Sequence, residues 1–292
     1  MKRFFLFILV LVCLISCEQN QNIPNNENGE VTYTMNRDSY IRFAVSENSY
    51  VAFSKGNLQY QASSNTWRFA DKQYDVIGEE NANVSENYDG WIDLFGWGTS
   101  GYNNRMPYMI LDSELSYTET YSIAETNYDW GVYNEIQNDK GDKGIWRTLT
   151  ADEWKYLILE RKNAPKLNAW AKVNGVAGLV ILPDDCVLPD DVAFEFTEEY
   201  GEDFQVENVY DLTQWQKLET VGALFLPAAG QHINKSVGGV NRTCFYWSSS
   251  LGSFNNSASY FSFNTFGPYP FDDAASAPYY NGFAVRLVRD IQ

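Results

Sequence analysis

Hydrophobic and polar positions divide the chain into three zones. Phe4 to Ile15 is an unbroken apolar run behind Lys2-Arg3, too short to span a bilayer comfortably. From Glu18 to Glu30 apolar residues nearly vanish, so this stretch cannot bury enough surface to fold. Beyond it, apolar residues recur at strand and helix spacing. Tyr50 to Tyr60 reads as a strand with a bulge or turn at Gly56, and Thr66-Trp67-Arg68-Phe69 as its hairpin partner. Gly178 to Leu182 and Gly222 to Leu226 are short apolar strands, each stopped by a proline. Aromatic strands follow at Cys244–Ser250 and Ala258–Phe263. Alternation from Phe283 to Val288 then puts Phe283, Val285 and Leu287 on one face of a half-buried strand.

Two helices carry explicit start signals. Thr150-Ala151-Asp152-Glu153 is a capping box, with Thr150 as N-cap and Glu153 reaching back, and Trp154, Leu157, Ile158 and Arg161 follow at helical spacing. Asp211 caps a second helix, with Gln214 at the box position. Two helices, short strands and long loops define an α+β domain. The boundaries are residues 1–16 for an export leader, 17–30 for a flexible tether and 31–292 for a single domain. Leu14-Ile15-Ser16-Cys17 matches a bacterial lipobox, in which Cys17 is acylated and becomes the new N-terminus. Acyl chains anchor at about 0.8 kcal/mol per buried methylene, so the expected protein sits on a bacterial outer membrane or cell surface, held through its N-terminal lipid alone.

Composition narrows the partners. The chain is 45% hydrophobic and 16% aromatic, ample for a core. The chain carries 21 basic and 38 acidic residues, a net charge of −17, and loses Lys2 and Arg3 with the leader. That balance opposes nucleic acid and anionic lipid surfaces and tolerates cations such as calcium. Of four cysteines, Cys13 leaves with the leader and Cys17 is lipidated; Cys186 and Cys244 remain, either bridged in an oxidising compartment or as two buried thiols.

The C-terminal motifs resemble one group of proteins. The strand Tyr246-Trp247-Ser248-Ser249, the Tyr/Phe/Ser/Asn-rich middle and the closing G-F-x-V-R-L-V from Gly282 to Val288 resemble the C-type lectin-like fold of bacterial surface lipoproteins. Similar proteins include formylglycine-generating-enzyme-like domains, major paralogous domain lipoproteins and variable proteins diversified by retroelements. The W-R-T-L-T-x-x-E-W-x-Y-L run from Trp146 to Leu157 resembles the helix start of the same group. The resemblance implies that the first strand pairs with the last, Val51–Phe53 lying antiparallel to Val285–Leu287. It also implies that residues between the two motifs face a ligand.

On this reading Tyr246, Trp247, Tyr260, Tyr269, Phe271, Tyr279 and Tyr280 supply rigid contact area, and Asn256, Asp272 and Asn281 supply adaptable polar contacts, toward a protein or glycan ligand. The alternative is that these aromatics pack inward. Pro268, Pro270 and Pro278 favour a fixed loop shape over disorder.

Other chemistry is sparse. Gly96, Gly98 and Gly101 spell a G-x-G-x-x-G, but Asn103-Asn104-Arg105-Met106-Pro107 follows where a dinucleotide site needs a helix, so aromatic packing with glycine turns is expected. The single histidine, His232, reads as a residue of a polar loop without a nucleophile motif. Asp184, Asp185, Asp190 and Asp191 are the candidate calcium ligands, against an ordinary solvated acidic loop. The enzymatic relatives use a cysteine pair near the C-terminus, and Cys244 stands alone there; the E-P-N, Q-P-D and W-N-D tripeptides of calcium-dependent lectins do not occur. No catalytic residue and no cofactor is therefore assigned. The sequence points to a lipid-anchored binding module, with an enzyme on the same scaffold or a structural envelope or adhesin lipoprotein as the alternatives.

Overall fold

The computed structural model describes residues 41–109, 121–139, 142–196, 208–264, 267–269 and 275–291. Residues from Arg37 to Gln292 form one unit. In chain order the strands are β1 (Phe43–Ala44), β2 (Tyr50–Phe53), β3 (Leu58–Gln61), β4 (Thr66–Phe69), β5 (Arg147–Thr148), β6 (Asn168–Val173), β7 (Val176–Ile181) and β8 (Asn208–Tyr210). They continue as β9 (Leu224–Pro227), β10 (Gln231–Ile233), β11 (Ser236–Gly238), β12 (Thr243–Leu251), β13 (Ser257–Asn264), β14 (Gly267–Tyr269), β15 (Ser276–Pro278) and β16 (Leu287–Ile291). The α-helices are α1 (Trp130–Tyr133), α2 (Ala151–Lys155), which runs on into a π turn at Tyr156–Glu160, and α3 (Leu212–Thr220). The architecture is α+β, built from small, mostly antiparallel sheets. Among the described residues no helix is long and apolar enough to cross a membrane.

The N-terminal hairpin and the last strand meet, β16 pairing with β2. One sheet has the order β1-β2-β16-β5, antiparallel at every step, so the final strand lies inside it. The register differs from expectation. Phe53 faces Val288 and Val51 faces Asp290, which slides the pairing three residues toward the C-terminus from Val285–Leu287. The cause lies at Ser54–Asn57, where β2 ends and β3 departs to another hairpin. There Gly56 is pressed against Ala70, whose carbonyl oxygen would stand 2.4 Å from a Cβ at position 56. The displaced residues serve β3 instead: Val285 accepts a bond from the Leu58 amide at 2.9 Å.

The alternation in Phe283–Val288 is real, but both faces are buried. Phe283, Val285 and Leu287 enter an aromatic core with Trp67, Phe95, Trp97 and Trp247. Ala284 and Val288 enter a second core with Val51, Trp154, Tyr246 and Phe261. A strand between two cores reads as alternating because Arg286, itself buried, breaks the apolar run. Its guanidinium donates to Gln73 Oε1 at 2.8 Å and Asn57 Oδ1 at 3.3 Å.

The sheet β8-β6-β7-β9 is likewise covered on both sides, which explains the continuous apolar run at Gly178–Leu182. Trp170, Leu179 and Ile181 face the core shared with Trp154, while Val180 and Phe225 pack with Trp215 and Leu218 of α3. Both capping boxes form: Glu153 N donates to Thr150 Oγ1 at 3.2 Å, and Gln214 N to Asp211 Oδ1 at 2.8 Å. Trp154, a core residue, stacks on Phe261 at 5.0 Å.

Of the two alternatives open for the cysteines the structure shows separate thiols, and one further expectation, for His232, is corrected. Cys186 and Cys244 are free thiols, Cys244 fully buried and Cys186 half-buried on a different core. His232 does not lie in a loop: it is a buried residue of the β10–β11 hairpin, bonded through its amide to the Gly282 carbonyl at 2.8 Å. Among the described residues neither of its ring nitrogens has a hydrogen-bond partner, and burial pushes its pKa below the ordinary value.

Candidate functional site

The ligand-facing set is rearranged by burial. β12 and β13 pair antiparallel with Trp247 opposite Tyr260, and the sheet is covered on both faces. Tyr246 and Trp247 therefore both have 0% exposure and cannot meet a ligand. The Tyr246 hydroxyl donates to Asn57 Oδ1 at 3.2 Å and lies 3.3 Å from the Pro227 carbonyl oxygen; the Trp247 indole N–H donates to the Phe95 carbonyl at 2.6 Å. Tyr279, at 2% exposure, is core too, and Asn281, at 8%, is turned in beside it. Their burial needs a partner from far back in the chain: Trp97 stacks on Tyr279. Phe271, Asp272 and Cys17 lie outside the described residues, and Tyr269 is placed only by its backbone pairing with Ser262.

Tyr260, Tyr280 and Asn256 keep solvent-facing surface. Tyr260 packs edge-on against Phe245 at 5.4 Å and Phe283 at 5.1 Å, so the exposed part of its ring is held by rigid aromatic neighbours. Asn256 occupies the left-handed region at φ 58°, where asparagine is better tolerated than most residues, and its carbonyl accepts the Tyr279 amide at 3.1 Å. Ser257 pins the same turn by donating to the Phe254 carbonyl at 2.6 Å, and Phe254 itself stands 51% exposed. The tip is thus a fixed shape with an aromatic side chain offered to solvent.

The sequence reading missed a second aromatic group. Tyr102 packs edge-on against Tyr128 at 5.1 Å and Tyr133 at 5.4 Å, and all three are half-buried. The Arg105 guanidinium lies 4.1 Å over the Tyr128 ring, and Asn103 Nδ2 donates to the Tyr128 hydroxyl at 2.8 Å. Asn103 and Asn104 both have positive φ, 50° and 62°, a strained pair in a solvent-facing turn. Both tyrosine-bearing loops dock on the end of β12. Ile123 N donates to the Ser249 carbonyl at 3.0 Å, Ser122 Oγ to the same oxygen at 2.6 Å, and Trp97 Nε1 to Ser248 O at 2.8 Å. The available signal was compositional: Tyr102-Asn103-Asn104-Arg105 combines a rigid aromatic with polar turn formers and lacks apolar periodicity.

Electrostatics in these loops serve the scaffold. Asp129 is fully buried and accepts from the amides of Thr148 at 2.9 Å and Gly131 at 3.1 Å; desolvation still raises its carboxyl to about 6. Asp93, also buried, accepts from Ile77 N and Asn81 Nδ2 and is raised to about 7, again by desolvation. The acidic loop offers no converging carboxylates for calcium. Asp184 accepts from Ala44 N and Arg161, Asp185 pairs with Arg42, and Asp191 pairs with Lys217. Among the described residues no group of three or more histidine, cysteine, aspartate or glutamate side chains could hold a metal ion.

No family model, curated protein or solved structure matches the chain.

Proposed function

We propose that the chain is a lipid-anchored surface binding module with a C-type lectin-like fold, which captures a protein ligand through the face formed at the end of β12 and β13. Tyr260, Tyr280, Phe254 and Asn256 provide the C-terminal part of that face, and Tyr102, Tyr128 and Tyr133 with Asn103 the part from the preceding loops. The observation that carries this reading is that Tyr102, Tyr128, Tyr133, Tyr260 and Tyr280 keep solvent-facing surface, while Trp97 and Tyr279, from the same segments of chain, stack as core residues. Aromatic side chains whose backing cannot move give contact area at low entropic cost, and asparagines in strained turns give polar contacts around them. The antiparallel pairing of β2 with β16 supports the lectin-like reading of the fold. The leader and Cys17 support the anchor.

The test is capture by the chain from residue 31 onward on arrays of secreted and surface proteins, with glycans as a second arm. A protein ligand whose binding is lost in Tyr260→Ala and Tyr102→Ala variants that still fold establishes the reading. Capture that is indifferent to both substitutions sinks it.

A further inference from the structure

The β10–β11 hairpin forms a two-stranded sheet of its own and joins the closing segment of the chain through His232 and Gly282. The two residues exchange both backbone bonds: His232 N donates to Gly282 O at 2.8 Å, and Gly282 N to His232 O at 2.7 Å. The far side of the same segment is tied elsewhere. Trp97 N donates to Tyr279 O at 2.8 Å, and Phe95 and Phe283 exchange bonds of 2.8 and 3.0 Å. Tyr280 therefore sits on a loop gripped by the core on one side and by the hairpin on the other.

His232 is the single histidine of the chain and is fully buried. Among the described residues neither ring nitrogen has a hydrogen-bond partner, so the neutral ring already forgoes a donor and an acceptor. An imidazolium there would bury a charge and two N–H donors that meet no acceptor, a far larger cost. The elements packed on the hairpin carry several titratable groups. β12 brings the Cys244 thiol and the Tyr246 phenol, the turn at Gly78–Asn83 brings Glu79 and Glu80, and Asp93 lies close enough to act on Cys244. Arg286 belongs to the closing segment, and Lys235 to the hairpin's own turn. None of these groups is bonded to the ring. A charged His232 finds its partners only in water, and the hairpin's tip, Ile233 to Ser236, is already exposed.

We propose that His232 is a proton-operated latch: neutral, it keeps β10 bonded to Gly282, and on taking up one proton its ring leaves the interior, the hairpin detaches, and the loop carrying Tyr280 loses its support on that side. A lone two-stranded hairpin is marginal in water, so it opens as a unit while the cores stay closed. The detached ring takes its proton at about pH 6.5 and the buried ring only below that, so the latch is whole above pH 6.5 and weakens as pH falls. Asp93 and Asp129 act in the opposite sense. They hold protons in the folded state and gain stability with acid, so an acid-driven opening does not come from them.

The test is amide hydrogen exchange of the full-length chain at pH 7.5 and pH 5.5, read by mass spectrometry and corrected for the intrinsic rate. Peptides covering Gly230–Gly238 and Tyr279–Phe283 are expected to lose about tenfold in protection at the lower pH, while β6 and β7 lose none. In His232→Leu the same peptides should be equally protected at both pH values. The single imidazole gives a second readout in the wild type, free of any doubt about the variant's folding: its proton resonances should titrate below pH 6.5. Equal protection of the wild type at both pH values, the same acid loss in His232→Leu, or a ring that titrates at or above pH 6.5 overturns the proposal. Ligand capture enters none of these readouts, so the latch and the tyrosine-bearing face stand or fall separately.

Discussion

The ring of Tyr279 stacks on that of Trp97 with centroids 4.7 Å apart and planes 17° apart, and the Trp97 amide donates to the Tyr279 carbonyl at 2.8 Å. Two adjacent tyrosines therefore have opposite roles. Tyr279→Ala is expected to destabilise the domain by about 3 kcal/mol, because it opens a cavity beside an indole. Tyr280→Ala is expected to stay within about 0.5 kcal/mol of wild type and to weaken ligand capture. Urea unfolding of both variants checks this; equal stability losses would place Tyr280 in the core.

The tyrosine group of the earlier loops should behave as part of the same face. Replacing Tyr102 and Tyr133 together by alanine is expected to cost about 2 kcal/mol in ligand affinity, the scale of an interface hot spot. Titration calorimetry against the captured protein measures it. Undiminished affinity would confine binding to the β12–β13 tip.

Glu153 works as a helix cap and ion-pair partner. It accepts the Thr150 amide at 2.8 Å and holds Arg147 through bonds of 2.7 and 2.8 Å. Glu153→Ala should lower stability by about 1 kcal/mol and leave ligand binding intact. Thermal unfolding with a parallel binding assay separates this from a role in a site.

Buried carboxyls set the pH dependence. The Asp93 and Asp129 pKa values are raised to about 7 and about 6, above the unfolded value of about 3.9, so the folded state holds protons that the unfolded state has released. Their contribution is whole below about pH 4 and lost as pH rises through 6 and 7. His232, lowered by burial, acts in the other sense and loses its contribution as pH falls below about 6.5. Wild type should lose stability relative to Asp93→Asn between about pH 4 and 7, with a level difference above that. A constant gap across the range would show that Asp93 stays charged.

Thiol accessibility gives an independent check of the cores. Cys244 is fully buried, and the half-buried Cys186 has its pKa raised to about 11 by desolvation. Neither should react appreciably with an aromatic disulfide reagent in the folded protein at pH 7.5, and both should react after unfolding. Reductant should leave the melting temperature unchanged; a drop would mean the two residues are bridged.

Local features were readable in the residues and long-range ones were not. The capping boxes at Thr150 and Asp211 involve neighbours three positions apart, and both form where the sequence placed them. The strands that end at Pro183 and Pro227 announced themselves by composition. Tyr246, Trp247 and Tyr279 were expected at the surface because strand alternation records which side a residue faces, not whether another layer covers that side. The cover comes from Asn57, Phe95 and Trp97, more than a hundred residues upstream. The register of the terminal pair was equally hidden, since it depends on where Gly56 lets β2 end. Asp184 and Asp185 stood as calcium candidates beside the reading of an ordinary solvated loop, because their partners, Arg161 and Arg42, are remote in the sequence.

The position of β16 between β2 and β5 also sets a timetable. A chain made from its first residue to its last accumulates β2, β5 and the strands of both cores long before it holds the segment that joins them. Phe283 to Ile291 are made after every other described strand of the domain, so chains stopped before them expose two unfinished aromatic interiors and an unfilled place in a sheet. Folding of this domain is thus deferred until its last strand has been made.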